Sequence, residues 1–505
     1  SLIKMAGVFT EEEKGRFYAM TEYLLRYMLD LRDRTELTAE AAQRGCSNWQ
    51  TDMCAGTAYM MLVLDDFPNR KAWLYNAHAV LQAQLSLNVN PDGSWPESIR
   101  YHHAALERFA GYAKVVAHMM GDNWFATTRL PEMFDFSVQV QTPGYTFFSG
   151  RIGTPPFGDH ALSGGAEFGS YTTYLADVAK VNKALADRMY LTWVKAGKPF
   201  KKLWGEGIAL DNLLALSDRY ACDGELAHSS EVSYSDAGLH IFRGDGHGSY
   251  FAVMSSPQPI GHGHLDQGSF ILYKNAVPLV MDSGIEGYFD SSTSWHISSY
   301  SHACVQFATR RKAFPKSGSG AINLTAGTYS LERGWVDVPR TSHVLAYAPG
   351  EEIDFISIEI LNPEGAGRHR RDIRYLKQHD LYVIYDRIYD FEGEVLFSLP
   401  VAAVSTAKDG ASYVSEGYYG VELETVLASR VKRSWIEQGR ATQFTPGKPG
   451  DGTTLDYIRA VADAKDGFLT ILHAKTQGER RLDAVHYADG HLKITHGDVC
   501  MDLDL

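Results

Sequence analysis

At 505 residues the chain is too long for one hydrophobic core, and ordinary domain sizes divide it into about two to four. Its 45% apolar and 22% charged residues are those of a soluble globular protein. A net charge of −13 argues against a nucleic-acid partner, because phosphate binding wants a basic face. It leaves room for an anionic substrate in a locally positive cleft. No apolar run approaches the ~18 residues that span a bilayer. The opening SLIKMAGVFTEEEKGRF has neither the apolar stretch nor the cleavage pattern of a signal peptide, so the opening residues leave localisation open. Cys46, Cys54, Cys222, Cys304 and Cys500 are scattered, with no CxxC pair, and read as small buried hydrophobes.

The first third reads as helix. Thr10 and Glu13 form a capping box ahead of Phe17, Met20, Leu24 and Met28 at helical spacing. Further helices are expected over Asn48–Leu64, Lys71–Leu87, Ser98–Met120, Pro131–Val140, Glu167–Lys195 with a break, and Phe200–Leu216. Short Pro/Gly-punctuated turns between them imply antiparallel neighbours, a bundle or ring of helical hairpins. The exception is Thr142 to Gly165, a Gly/Pro-rich loop long enough to be a functional lid.

Around Ser217 to Ser230 the helical period gives way to short alternating runs. Strands are expected at Gly238–Phe242, Ser249–Met254, Asp354–Ile360, Ile373–Tyr385, Val395–Leu399, Ile458–Val461 and Phe468–His473. Helices followed by strands imply separate layers, most simply a helical domain and an antiparallel β-sandwich. The expected division is 1–216 helical, 229–396 sandwich and 397–505 a smaller C-terminal sheet region.

The richest stretch runs from Pro259 to His302, with His262, His264, Asp266, Asp282, His296 and His302 inside a β-like segment. Ser269–Tyr273 and Val277–Met281, joined by Lys274-Asn275-Ala276, read as a hairpin that returns Asp282 towards His264. Two imidazoles and a carboxylate from separate segments at one sheet end make a three-ligand zinc site, here His264, Asp282 and His302. Asp266 and His296 are alternates. A hydrogen-bonded HxH loop without metal is the plainer reading of the HxH pattern alone.

A second polar cluster lies in the helical part, at Arg44-Gly-Cys-Ser-Asn48-Trp49-Gln50-Thr51-Asp52 and at Asp92-Gly-Ser-Trp95-Pro-Glu97-Ser-Ile-Arg100-Tyr101-His102-His103. By composition the latter is an ordinary first helical turn capped by Ser98. Taken together, SNWQ, DGSWPESIRYHH, GHGHLDQGSFILYKNAVPLVMDSG, SYSHACVQF and RHRRDIRYLKQHDLYVIYDRI resemble the heparinase II/III-like polysaccharide lyases. The resemblance runs from about Arg44 to about Ile388. It implies an (α/α) toroid-like domain followed by antiparallel β-sandwich domains, although the helices look too few for a complete ring. It departs from the pattern at Trp49, where many relatives carry His.

The implied reaction is β-elimination at a uronic acid of an acidic, glycosaminoglycan-like or alginate-like polysaccharide. The resemblance makes Tyr101 the acid/base, His262 its partner and Asn48 the donor that neutralises the substrate carboxylate. Gln50, Trp49, Arg100, His102, Trp95, Glu97 and Arg151 are the accompanying substrate-binding candidates, with Arg310, Arg311 and Lys312 as further anion contacts. A structural zinc ion would hold the strands that present His262. The cleft is expected between the domains. The resemblance also implies a secreted or periplasmic protein, and a homodimer is one compatible state. A metal-dependent glycan hydrolase and a non-catalytic polysaccharide-binding protein are the alternatives.

Overall fold

The computed structural model describes residues 7, 9–30, 37–162, 164–200, 220, 222, 224, 226, 228–244, 248–258, 260–285, 293–308, 340–362, 367–442 and 454–505. Two compact units divide the chain. The first comprises Ser1–Val138, Glu167–Trp193 and Phe200–Leu226; the second comprises Gln139–Ala166, Val194–Pro199 and Ala227–Leu505. Beyond Phe200, the helix expected to Leu216 lies outside the described residues, as do Arg310, Arg311 and Lys312.

The first unit is helical, with main helices Glu11–Asp30, Asn48–Val63, Arg70–Leu87, Ile99–Met119, Leu130–Gln139, Tyr171–Val181 and Lys183–Lys195. The expected capping box forms: the Glu13 N–H donates to Thr10 Oγ1 at 3.2 Å, and the Thr10 N–H to Glu13 Oε2 at 2.8 Å. The expected break falls at Asn182, whose side chain caps the next helix by accepting from the Leu185 N–H at 3.0 Å. Helix Ile99–Met119 buries Ile99, His102, His103, Leu106, Phe109, Ala110, Ala113 and Val116, a single stripe at three- and four-residue spacing. Its sequence therefore sets which side of the first turn faces inward. Arg100 is left exposed and Tyr101 half-buried.

The second unit is a β-sandwich. One sheet of nine strands runs in the order Glu231–Tyr234, Leu239–Arg243, Tyr250–Met254, Phe270–Lys274, Val277–Val280, Glu394–Val401, Thr454–Asp463, Arg433–Arg440, with Val305–Phe307 pairing on Glu394–Val401. A sheet of eight strands faces it, and Phe251, Phe270, Leu272 and Phe397 from the first meet Ile356, Ile358, Ile373, Tyr382 and Leu472 from the second in one core. A three-stranded sheet over residues 484–504 adds a smaller apolar cluster, in which Leu492 and Ile494 join Leu381, Val383, Leu469 and Ile471. The predicted hairpin is present as Phe270–Lys274 and Val277–Val280. Asn275 and Ala276 both take positive φ (49° and 61°), as a two-residue turn of matching twist requires.

Three expectations need correction. The boundary at 396/397 cuts strand Glu394–Val401, which pairs along its length with Thr454–Asp463 in the middle of the large sheet. Residues on both sides of it therefore belong to one sandwich. Ile373–Tyr385 is not one strand but the facing parts of Arg368–Leu376 and Leu381–Tyr389, reversed by a single turn at Lys377–His379. Apolar alternation continues across that turn, which hid it. Thr142–Gly165 belongs with the sandwich rather than the helices, and Ile152, Phe157, Asp159 and His160 in it are buried.

Candidate functional site

In the helical unit, Asn48 opens helix Asn48–Val63, with Ser47 as the N-cap accepting from the Gln50 N–H at 3.3 Å. The free N–H groups at a helix start favour negative charge, and Glu97 supplies it. Its Oε2 accepts from the Asn48 backbone N–H (3.1 Å) and from Trp95 Nε1–H (2.7 Å). Glu97 thereby ties the start of one helix to the turn that leads into Tyr101's helix. That turn needs Gly93, at φ +85°, because a Cβ there would stand 2.1 Å from the Glu132 carbonyl oxygen. His102 completes the frame. Its Nδ1 accepts from the Trp95 N–H at 3.2 Å, while its Nε2 lies 3.1 Å from the Met133 carbonyl and 3.0 Å from Ser137 Oγ. Burial, with His103 alongside, pushes His102 well below its ordinary value, and burial lowers His103 too, so both rings are neutral.

This geometry separates the predicted contacts. Trp95, Glu97 and His102 are buried, and Gln50 is fully buried with its Oε1 accepting from Gln84 Nε2–H at 2.7 Å. These four, expected to meet substrate, are engaged inside the unit and act as framework. Trp49 is 62% exposed. Asn48 is buried, and its Oδ1 has no hydrogen-bond partner.

In the sandwich unit, His264, Asp282 and His302 are buried, and one ligand atom of each lies within 4.8 Å of the others. The hairpin returns Asp282 to His264 as the strand pattern predicts. The loop after the short helix Thr293–Ile297 brings in His302, whose Nδ1 lies 2.8 Å from Asp282 Oδ2. The Gly284 N–H donates to Asp282 Oδ1 at 3.0 Å. Burial alone would lower His302, but Asp282 and Asp266 outweigh it and raise the imidazole above its usual value. Burial alone would likewise raise Asp282, yet His302 and His264 hold it low. Asp266, also buried, is pushed up by its burial. His264 Nδ1 and His302 Nε2 are buried with no hydrogen-bond partner. Two imidazoles with orphaned nitrogens beside an ionised carboxylate fit a divalent metal that accepts nitrogen and oxygen ligands.

His262 is half-buried and holds a left-handed φ of +53°, uncommon outside glycine. His296 is fully buried, lies 3.2 Å from Ser283 Oγ, and is pushed down to about 3, chiefly by burial and then by His264. Asp266 and His296 lie outside the three-residue cluster. Arg151 is exposed in the sandwich unit, where Gly197 packs against its side chain. The sequence gives no signal for Asp159, whose Oδ1 lies 3.1 Å from His264 Nε2 across 105 residues. No local spacing marks such a partner.

Helices followed by an antiparallel sandwich with a buried His–Asp–His cluster define a class of protein that joins a helical unit to a β-sandwich. Residues 17–183 match the heparinase II/III N-terminus, and residues 228–347 match the heparinase II/III-like C-terminal domain. The two matches together span more than half of the sequence, and the chain belongs to the heparinase II/III-like family of polysaccharide lyases. Among curated proteins none matches. Of solved structures, heparinase III is similar with a TM-score of 0.70 at 13% identity, covering 98% of this chain and 71% of its own. Heparan sulfate lyase HepC from Pedobacter heparinus follows at TM-score 0.63 and 14% identity, covering 92% and 68%. A chondroitin AC lyase variant from Streptomyces coelicolor A3 gives 0.52 at 12%, covering 98% and 69%. A second heparinase III chain is spanned over 65% of its length.

Proposed function

We propose that this chain cleaves an acidic, uronic-acid-containing polysaccharide of the glycosaminoglycan-like or alginate-like kind by β-elimination, outside the cytoplasm. The observation that carries the reading is the Glu97 brace, which fixes Asn48 and the segment leading to Tyr101 relative to each other. The hydrogen alpha to a carboxylate becomes acidic only when the growing enolate charge is met by fixed donors. Asn48, whose side-chain amide donates through Nδ2, is assigned to the substrate carboxyl group. Tyr101 protonates the leaving oxygen and His262 removes the hydrogen. His102 and His103 are neutral, so neither supplies the positive charge that a tyrosinate base would need. That favours the donor role for Tyr101. Exposed Trp49 and Arg100 are assigned to the sugar ring and its anionic groups, and Arg151 to a further anionic group.

A zinc ion fits His264, Asp282 and His302, where its charge would hold the hairpin end and the His302 loop together. Elimination needs no activated water, so the ion has a structural part. The test is digestion of a panel of acidic polysaccharides with ultraviolet absorbance and product mass. Unsaturated uronate products are expected. Hydrolytic products of ordinary mass, or binding without cleavage across the panel, would replace this reading with a hydrolase or a binding protein.

A further inference from the structure

The Gly/Pro-rich loop puts one buried residue, Asp159, against both histidines of the GHGH motif. Asp159 Oδ1 lies 3.1 Å from His264 Nε2, with the two side chains 2% and 0% exposed. The backbone N–H of the same residue donates to the His262 carbonyl oxygen at 2.8 Å. Asp159 lies outside the His264–Asp282–His302 cluster and takes no part in the steps proposed above.

A carboxylate beside one imidazole nitrogen decides the tautomer. With its proton on Nε2, facing Asp159, the neutral His264 ring keeps its lone pair on Nδ1. That is the nitrogen left buried and without a partner. The loop is itself well held. Thr154 Oγ1 and His160 Nε2 are 2.8 Å apart, and the His160 carbonyl oxygen lies 3.1 Å from where a Cβ on Gly284 would stand. Gly284 in turn donates its N–H to Asp282. The same short segment therefore touches the neighbourhood of two cluster residues and the strained backbone of His262. A left-handed φ is strained outside glycine, and the Asp159 N–H bond opposes relaxation of that conformation.

We infer that Asp159 is a positioning residue: it orients His264 for a divalent metal, and through its backbone bond it couples metal binding to the conformation of His262. The second half rests on the reading of His262 as the base; the first half does not. The experiment is zinc competition against a chromophoric chelator for the full chain and for its Asp159→Ala and Asp159→Asn variants, with melting curves, kcat and KM alongside. Asp159→Ala is expected to bind zinc roughly 10- to 100-fold more weakly, the usual effect of removing an outer partner of a ligand histidine. Asp159→Asn keeps an acceptor and should recover most of that loss. In Asp159→Ala the backbone bond to His262 stays but its residue is no longer tied to His264, so kcat should fall more than KM rises.

Unchanged zinc affinity in a folded Asp159→Ala protein would overturn the inference. So would a loss as large as that of His264→Ala, which would make Asp159 a ligand itself. Should Asp159→Ala fail to fold, the ¹⁵N shifts of His264 in the parent protein decide. A proton on Nε2 supports the assignment, and a proton on Nδ1 overturns it. Zinc affinity is measured without turnover, so an inactive parent would sink the lyase reading and the second half of the inference with it, and leave the first half standing.

Discussion

Tyr101 sits in the first turn of a helix whose next two residues are buried, neutral histidines. Its own half-buried position sets what removing its hydroxyl should do. Tyr101→Phe keeps the ring and the stripe behind it, so the melting temperature should barely move. If the hydroxyl delivers the proton to the leaving oxygen, formation of unsaturated product should fall roughly 10²- to 10⁴-fold. Near-normal turnover in a well-folded Tyr101→Phe protein would rule out that assignment. Glu97 makes a different kind of prediction. Glu97→Ala leaves the Asn48 N–H and the Trp95 indole N–H without their acceptor, and each orphaned buried donor costs about 1–3 kcal/mol. Both stability and turnover should drop together, which separates a brace from a group that meets substrate.

Among the elements, the hairpin Phe270–Lys274 and Val277–Val280 carries the clearest consequence. Its turn delivers Asp282 to a buried cluster of histidines. Asp282→Ala and His264→Ala should therefore lower zinc content, measured by elemental analysis, and lower the melting temperature of zinc-loaded protein. The reason is that metal held by separate segments stabilises only the folded chain. Active, soluble parent protein containing no metal would remove the zinc assignment while leaving elimination untouched. The turn at Gly93 offers a metal-free counterpart. Gly93→Ala meets the Glu132 carbonyl at 2.1 Å from a positive φ, so it should destabilise by about 2 kcal/mol or more. A melting curve equal to the parent's would show that the turn can shift.

Across the sandwich, several buried groups set the response to acid, and His240 and Asp386 show its two kinds. His240, lying 2.8 Å from Ser233 Oγ, is pushed down by burial from 6.5 to about 4. It is neutral when folded, and the unfolded chain takes up its proton first. Stability is therefore full above about pH 6.5 and declines as pH falls towards 4, by roughly 3 kcal/mol at most. Asp386 acts lower on the scale. Burial would raise it, but Arg371 and His369 hold it at about 2. Its contribution of about 2.5 kcal/mol is present above the ordinary carboxylate value and is lost as pH falls towards 2. Arg371 also donates to the Gly268 and Ala303 carbonyls, so losing this centre loosens the chain beside Asp266 and His302. Denaturant midpoints should fall as pH drops from 7 to 3, and His240→Asn should make the fall above pH 4 shallower without abolishing it, because buried His296 is also held neutral by the fold. A parent whose midpoint is flat between pH 6.5 and 4 would contradict the His240 assignment.

The sequence alone determined what depends on near neighbours. Most helical and strand periods, the Thr10–Glu13 cap and the turn after Lys274 are local preferences that form close to where their residues predict, and the break expected within Glu167–Lys195 falls at Asn182. His264, Asp282 and His302 were legible for the same reason, because the motif and a short hairpin limit where their side chains can go. Only the tertiary structure decided what depends on distant partners. It placed the 142–165 loop on the sandwich, paired Glu394–Val401 with Thr454–Asp463, and divided the polar candidates into exposed Trp49 and buried Trp95, Glu97 and His102. Asp159 belongs to this second group. A carboxylate in a loop carries no periodicity, and its value to His264 exists only once the chain has folded to bring together two residues 105 positions apart.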